Sequence, residues 1–187
     1  MENPWDIINK GHNLSSYERD RMFLNVGGQD FADVSGLSGA DSDGDGRSVV
    51  AADFRNQGLM DLIVRQVGGG PLLLFENQMP PRHYLEVSLR GKESNRLGIG
   101  SRLILEAGGR KQVQELYPIN TYQSQGPTRV HFGLGDATKV ERLVISWPSG
   151  EEQELKELAG DCHMVVTEGS QGREAFETVV PGTTIRP

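Results

Sequence analysis

Cysteine is almost absent from this chain of 187 residues. Cys162 is the single one, and an internal disulfide framework is therefore excluded. A single cysteine suits a cytosolic and a periplasmic protein equally well. The histidines and this cysteine also lack the spacing of a zinc site.

Long apolar runs are missing as well. Those present are far shorter than the roughly 20 residues that a membrane-spanning helix needs. The chain begins Met1-Glu2-Asn3, with neither the basic segment nor the apolar stretch of a signal peptide. The sequence predicts no membrane span and no signal peptide in this chain, and it leaves open a trimmed piece of an exported protein.

Positive charge is scarce. The chain has 19 Lys and Arg residues against 26 Asp and Glu residues, for a formal net charge of −7. Little here would neutralise phosphates, so a nucleic-acid partner is excluded. The acidity suits solubility and the binding of cations.

The usual arrangements of catalytic side chains are also missing. No serine lies in a G-x-S-x-G nucleophile elbow. Cys162 and His163 are neighbours on a predicted strand, so their side chains point to opposite faces and make an improbable nucleophile–base pair. His131 is interpreted as a surface or half-buried strand residue. The sequence therefore favours a non-catalytic protein, without excluding an enzyme.

Strand-like alternation dominates what is present. Leu85, Val87 and Leu89 are predicted to face one side of a strand, with Glu86 and Ser88 on the other. Such segments, separated by glycine turns, predict an all-β fold. We expect a propeller-blade-like antiparallel meander over residues 1–80, a β-sandwich or barrel over 81–168, and a flexible tail over 169–187.

The most informative short segment is acidic. Asp41, Asp43 and Asp45 alternate along the chain, and Gly46 follows. Three like charges in one turn repel each other, and calcium relieves this in loops of the form D-x-D-x-D-G. The sequence predicts a weak calcium site formed by Asp41, Asp43, Asp45 and the carbonyl of Arg47. A solvated turn that binds no metal is the alternative and stays open.

Four stretches in the second half resemble the ASPIC/UnbV domain, over roughly residues 82–168. They are Ser94-Asn95-Arg96 with 98–102, then 122–125, 130–135 and 147–150. Within the first stretch, Arg96 is a candidate to bridge backbone carbonyls or a carboxylate. The resemblance implies a β domain.

The first half resembles the FG-GAP or VCBS propeller repeat, through residues 44–47, 50–54, 58–64 and 74–77. In that family the calcium loop corresponds to residues 53–61, where Arg55 and Gln57 stand at ligand positions, so we expect no calcium there. A propeller needs several blades, and this chain has material for about one. Three explanations stay open: a fragment, a blade packed on the second half, or self-association through edge strands.

Together these features predict a non-catalytic binding or structural module, stabilised by calcium, with a protein or glycan partner or a homo-oligomer formed by edge-strand pairing. The resemblance implies an extracellular, periplasmic or cell-envelope location. It also permits an alternative, an enzyme or accessory protein of a natural-product biosynthetic pathway. A cleft that gathers Asp61, Tyr122 or His131 would favour that alternative.

Overall fold

The structure is a computed structural model that describes residues 3, 6, 9–10, 17–67, 70–117, 121–170 and 175–179. These residues form four β-sheets and one short helix, which confirms the all-β class. Their strands close into neither a barrel nor a propeller. The chain divides into two compact units: unit 1 comprises residues 1–52, 61–77 and 121–125, and unit 2 comprises 53–60, 78–120 and 126–187. The boundaries at residues 80 and 168 stay a prediction.

The first two described strands of unit 1 form an antiparallel hairpin, β1 (Phe23–Val26) and β2 (Asp30–Asp33). Gly27 and Gly28 both adopt positive φ, as its turn requires. The short helix α1 (Ser35–Ser38) follows.

The second sheet of unit 1 is an antiparallel meander. Its strands are β3 (Gly46–Ala52), β4 (Asp61–Gln66) and β5 (Leu73–Phe75), in that order across the sheet. The register shifts between Gly46 and Ser48, so Arg47 lies in a bulge. This sheet confirms the meander that the sequence predicts.

Unit 1 buries little apolar surface. Among its described residues, Ala52 is the one fully buried hydrophobic residue. Large apolar side chains of the hairpin, including Phe23 and Phe31, are exposed over more than half of their surface. The unit therefore lacks a hydrophobic core of its own within the described residues.

The described residues of unit 2 form eight strands in two four-stranded sheets. They are β6 (His83–Arg90), β7 (Arg102–Ala107), β8 (Arg110–Glu115), β9 (Val130–Gly135), β10 (Lys139–Ser146), β11 (Glu152–Ala159), β12 (Cys162–Thr167) and β13 (Phe176–Val179). One sheet has the order β11-β10-β7-β8 and the other β13-β12-β6-β9. Neighbouring strands are antiparallel except for β6 and β12, which are parallel.

Both sheets contribute to one hydrophobic core. Leu85, Val87 and Leu89 of β6 point into it, as their alternation predicts, and Trp147 is buried beside them. Burying each such side chain contributes roughly 1.5–3 kcal/mol. The sandwich architecture follows from these two inward apolar faces.

The segment predicted to be a flexible tail contains a strand. β13 pairs with β12, and Ala175, just before it, is fully buried. Phe176 packs against the core, and this apolar contact gives the strand a reason to be ordered. The rest of the predicted tail after residue 170 lies outside the described residues.

Within the described residues, no helix combines the length and the apolar character needed to cross a membrane.

Candidate functional site

One buried carboxylate joins three separate parts of unit 2. Glu168, directly after β12, is 1% exposed. Its Oε2 accepts backbone hydrogen bonds from Lys92, Glu93 and Ser94 at 2.6, 2.9 and 2.8 Å. Its Oε1 accepts from the hydroxyls of Ser94 and Ser149, both at 2.7 Å. We call these five residues the Glu168 network.

The network stabilises the charged form of Glu168. Burial alone would raise the pKa of this carboxyl, but the hydroxyls of Ser149 and Ser94 and the backbone N–H donors outweigh it. They lower the pKa from 4.5 to about 2. A buried carboxylate that accepts several hydrogen bonds is expected to stay ionised.

Two further contacts hold the neighbouring turns. The side chain of Asn95 accepts a hydrogen bond from the backbone nitrogen of Ile99 at 2.9 Å and donates to the carbonyl of the same residue at 2.7 Å. The indole of Trp147 donates to Gln153 at 3.0 Å, and Gln153 donates to the carbonyls of Thr167 and Ser170. The polar groups of these turns are therefore engaged with each other.

One prediction about this region needs correction, and one residue of the network was not predicted. Arg96, the predicted bridge, is exposed and makes no side-chain bond with a described residue, because Asn95 makes the local bridge instead. Glu168 was not predicted. Its position in the sequence was the available signal, because it is a single carboxylate between β12 and Gly169.

A second group of polar residues lies on the outer face of the sheet β13-β12-β6-β9. Glu86 is on the outward side, as predicted, yet it is only 2% exposed. Its Oε2 lies 3.1 Å from Arg129, and its Oε1 lies 3.7 Å from Nδ1 of His131. The ring of Tyr84 stacks on that of His131, with 5.8 Å between centroids. The ion pair with Arg129 offsets the cost of burying the carboxylate.

Ser88 and His163 form a hydrogen-bonded pair on the same face. Ser88 Oγ lies 2.8 Å from Nε2 of His163. Burial lowers the pKa of His163, Glu86 opposes this shift, and Arg129 adds to it. His163 makes no other side-chain hydrogen bond with a described residue, so the pair lacks the third, orienting group of a catalytic triad. Because Ser88 and His163 are 75 residues apart, no local pattern of residues indicates the pair.

The acidic loop does not gather its carboxylates around one position. Asp41 accepts a hydrogen bond from Arg19 at 3.0 Å, which lowers its pKa. Asp45 is buried, and its carbonyl accepts a hydrogen bond from Val67. Among the described residues, no three His, Cys, Asp or Glu side chains converge as metal ligands. These contacts do not test the weak calcium site predicted from Asp41, Asp43, Asp45 and the carbonyl of Arg47, which stays a prediction.

The three residues named for a cleft are placed differently. Tyr122 lines a cavity of unit 1. Asp61 is buried at the start of β4, where its carboxylate accepts a hydrogen bond from the backbone of Asn77. His131 belongs to the outer face of unit 2. The cavity of unit 1 therefore gathers only Tyr122 of the three.

One part of the chain matches a known protein family. No curated protein matches the sequence. The Glu168 network and the Asn95 and Trp147 turns all lie within the segment that does match a known family. Residues 91–173, less than half of the chain, match the family model described as ASPIC and UnbV.

Proposed function

We propose that the chain is a non-catalytic binding and structural module of an exported or cell-envelope protein. The observation that carries this proposal is the Glu168 network. In it, the polar groups of the loops after β6 and β10 bond to one carboxylate. Side chains engaged in holding loops together are poorly placed to perform proton transfer or nucleophilic attack.

For unit 1, the proposal is a repeat of the FG-GAP or VCBS type. The three-stranded meander and the exposed apolar side chains of the β1–β2 hairpin support it. A repeat buries such surface against neighbouring repeats. A protein or glycan partner, or a second copy paired through an edge strand, would serve the same purpose. Light scattering tests the second copy, since a monomer at all concentrations would contradict it.

One observation favours the alternative, an enzyme or accessory protein of natural-product biosynthesis. The Ser88–His163 distance of 2.8 Å is that of a nucleophile and its base. The missing orienting group among the described residues and the partial burial of both side chains argue for a structural pair.

The experiment that separates the two functions is labelling with a fluorophosphonate, which reacts with activated serines. We expect no labelling of the full chain. Ser88→Ala is the control. If the wild-type chain is labelled and Ser88→Ala is not, the protein is an enzyme and not a non-catalytic module.

Calcium is tested separately by thermal melting at millimolar calcium, with magnesium as the control ion. A rise in Tm that Asp43→Ala abolishes would establish the site at residues 41–47. An unchanged Tm would contradict a calcium site in this chain.

A further inference from the structure

Unit 1 contains a cavity with an apolar wall. Its volume is about 390 Å³, within the range of sites for small organic molecules. Val49 of β3 lies opposite Val64 of β4 in the sheet register, and Leu62 lies two residues from Val64 on the same face. The rings of Phe23 and Tyr122 also line the cavity, and both are largely exposed. The wall suits an apolar ligand body.

The same cavity is lined by an arginine that has no acidic partner among the described residues. Arg47 lies in the bulge of β3, and bulges redirect side chains relative to the regular strand. Its guanidinium donates to the carbonyl of Gly46 at 3.4 Å and pairs with no carboxylate of a described residue. By contrast, Arg19 pairs with Asp41, and Arg21 pairs with Asp33. In a chain with net charge −7, an arginine that no described carboxylate neutralises is suited to bind an anion from outside.

Asp20 is the acidic residue of the lining. Its Oδ2 is enclosed and has no hydrogen-bond partner among the described residues. Burial raises the pKa of this carboxyl, so its charge is more easily neutralised than that of an exposed aspartate. Asp20 therefore weakens the binding of an anion only in part.

We propose that this cavity binds an amphipathic monocarboxylate, with its carboxylate paired to Arg47 and its apolar body against Val49, Leu62 and Val64. A cationic ligand fits less well, because it would face the guanidinium of Arg47 in the same lining. The inference goes beyond the proposed function: it assigns unit 1 a small-molecule ligand and does not depend on the Glu168 network.

Calorimetry with three probes of one shape tests the sign of the ligand charge. The probes are 4-phenylbutyrate, 4-phenylbutanol and 4-phenylbutylamine, added to the full chain at pH 7. We expect the carboxylate to bind about tenfold more tightly than the alcohol, since an arginine–carboxylate pair is a strong charge-assisted contact, and the amine to bind most weakly. Equal affinities, tighter binding of the amine, or no binding of the carboxylate at millimolar concentration would overturn the proposal.

Variants then assign the site. Arg47→Gln should reduce the affinity for phenylbutyrate to that for the alcohol, and Asp20→Asn should increase it. Arg110→Gln, an exposed arginine of β8, is the matched control and should change nothing. Unchanged or tighter binding by Arg47→Gln, weaker binding by Asp20→Asn, or a loss of affinity in the control equal to that in Arg47→Gln would contradict the assignment.

A second variant keeps the test decisive if Arg47→Gln does not fold. Val49→Trp introduces a large ring at a partly exposed position of the wall and should abolish the binding of phenylbutyrate and of the alcohol alike. Undiminished binding in this variant would place the ligand elsewhere. The affinity for a peptide that ends in a phenylalanine carboxylate is then compared with that for its amide. Binding of the carboxylate form alone would identify a peptide C-terminus as a source of the ligand carboxylate, and binding of neither would identify a free monocarboxylate.

Discussion

The hydroxyl of Ser94 donates to Oε1 of Glu168 over 2.7 Å, although 74 residues separate the two along the chain. Ser149 donates to the same oxygen at the same distance. The loop after β6, the turn after β10 and the end of β12 thus meet at one carboxylate. Since every one of these contacts is a donor facing an acceptor oxygen, the junction depends on an ionised Glu168.

The first prediction concerns the loss of this charge. Glu168→Gln should lower the free energy of unfolding by about 1–3 kcal/mol, because a neutral amide oxygen accepts weaker hydrogen bonds from the three backbone N–H groups than a carboxylate does, and the amide nitrogen would require both serine hydroxyls to turn from donor to acceptor. Urea unfolding at pH 7 measures the change. Glu152→Gln, an exposed change on β11, is the control and should stay within about 0.5 kcal/mol. Equal stability of the two variants would refute the role of Glu168.

The second prediction is the pH dependence of the same contact. The folded pKa of Glu168 is about 2, against an ordinary value of 4.5. The folded state therefore binds this proton less readily than the unfolded state. The stabilisation is fully present above pH 4.5 and is lost as the pH falls toward 2.

The integrated effect of this shift is about 3 kcal/mol. Urea unfolding of the wild-type chain and of Glu168→Gln between pH 7 and pH 2.5 measures it. The difference between them should shrink below pH 4.5, and a constant difference across the series would contradict the lowered pKa.

The third prediction compares two glycines with the same backbone conformation. Gly98 and Gly109 have φ of +64° and +71°, so alanine at either costs about 1–2 kcal/mol. A Cβ at Gly98 would also lie 2.7 Å from Cβ of Leu89, whereas one at Gly109 would meet nothing within 4 Å. Gly98→Ala should be the more destabilising by a further ~1–3 kcal/mol in thermal or urea unfolding. Similar losses at both positions would mean that the close packing at Gly98 is absent.

The fourth prediction concerns the titration of His163. Burial lowers its pKa below the ordinary 6.5, so its neutral form stabilises the fold above that pH and the contribution is lost as the pH falls through the folded pKa. NMR titration of the imidazole should give a midpoint below 6.5. A midpoint at or above 6.5 would be evidence against the buried Ser88–His163 pair.

Two variants test the causes of that shift. Glu86→Gln should lower the pKa of His163 further, because it removes a charge that favours the imidazolium. Arg129→Gln should raise it for the opposite reason. The control Glu152→Gln should leave the titration unchanged, and spectra of each variant check that the fold is retained.

Alternation along the chain was a reliable guide to the fold. Leu85, Val87 and Leu89 point into the core as predicted, because a strand sends every second side chain to the same face. The same pattern placed Glu86 on the outer face but could not show that it is buried beside Arg129. The predicted tail contains β13, which pairs with the preceding strand β12; its four residues, FETV, show no apolar–polar alternation that would indicate a strand.

The sequence by itself determined the all-β class and the inward-facing residues of the sandwich, because both follow from a period of two between neighbours in the chain. Only the tertiary structure decided which distant polar groups meet. The parallel pairing of β6 with β12 brings Ser88 to His163 and Glu168 to the loop after β6. A hydrogen bond needs its two atoms within about 3 Å, and that precision comes from strand register and loop closure, which local residue patterns do not encode.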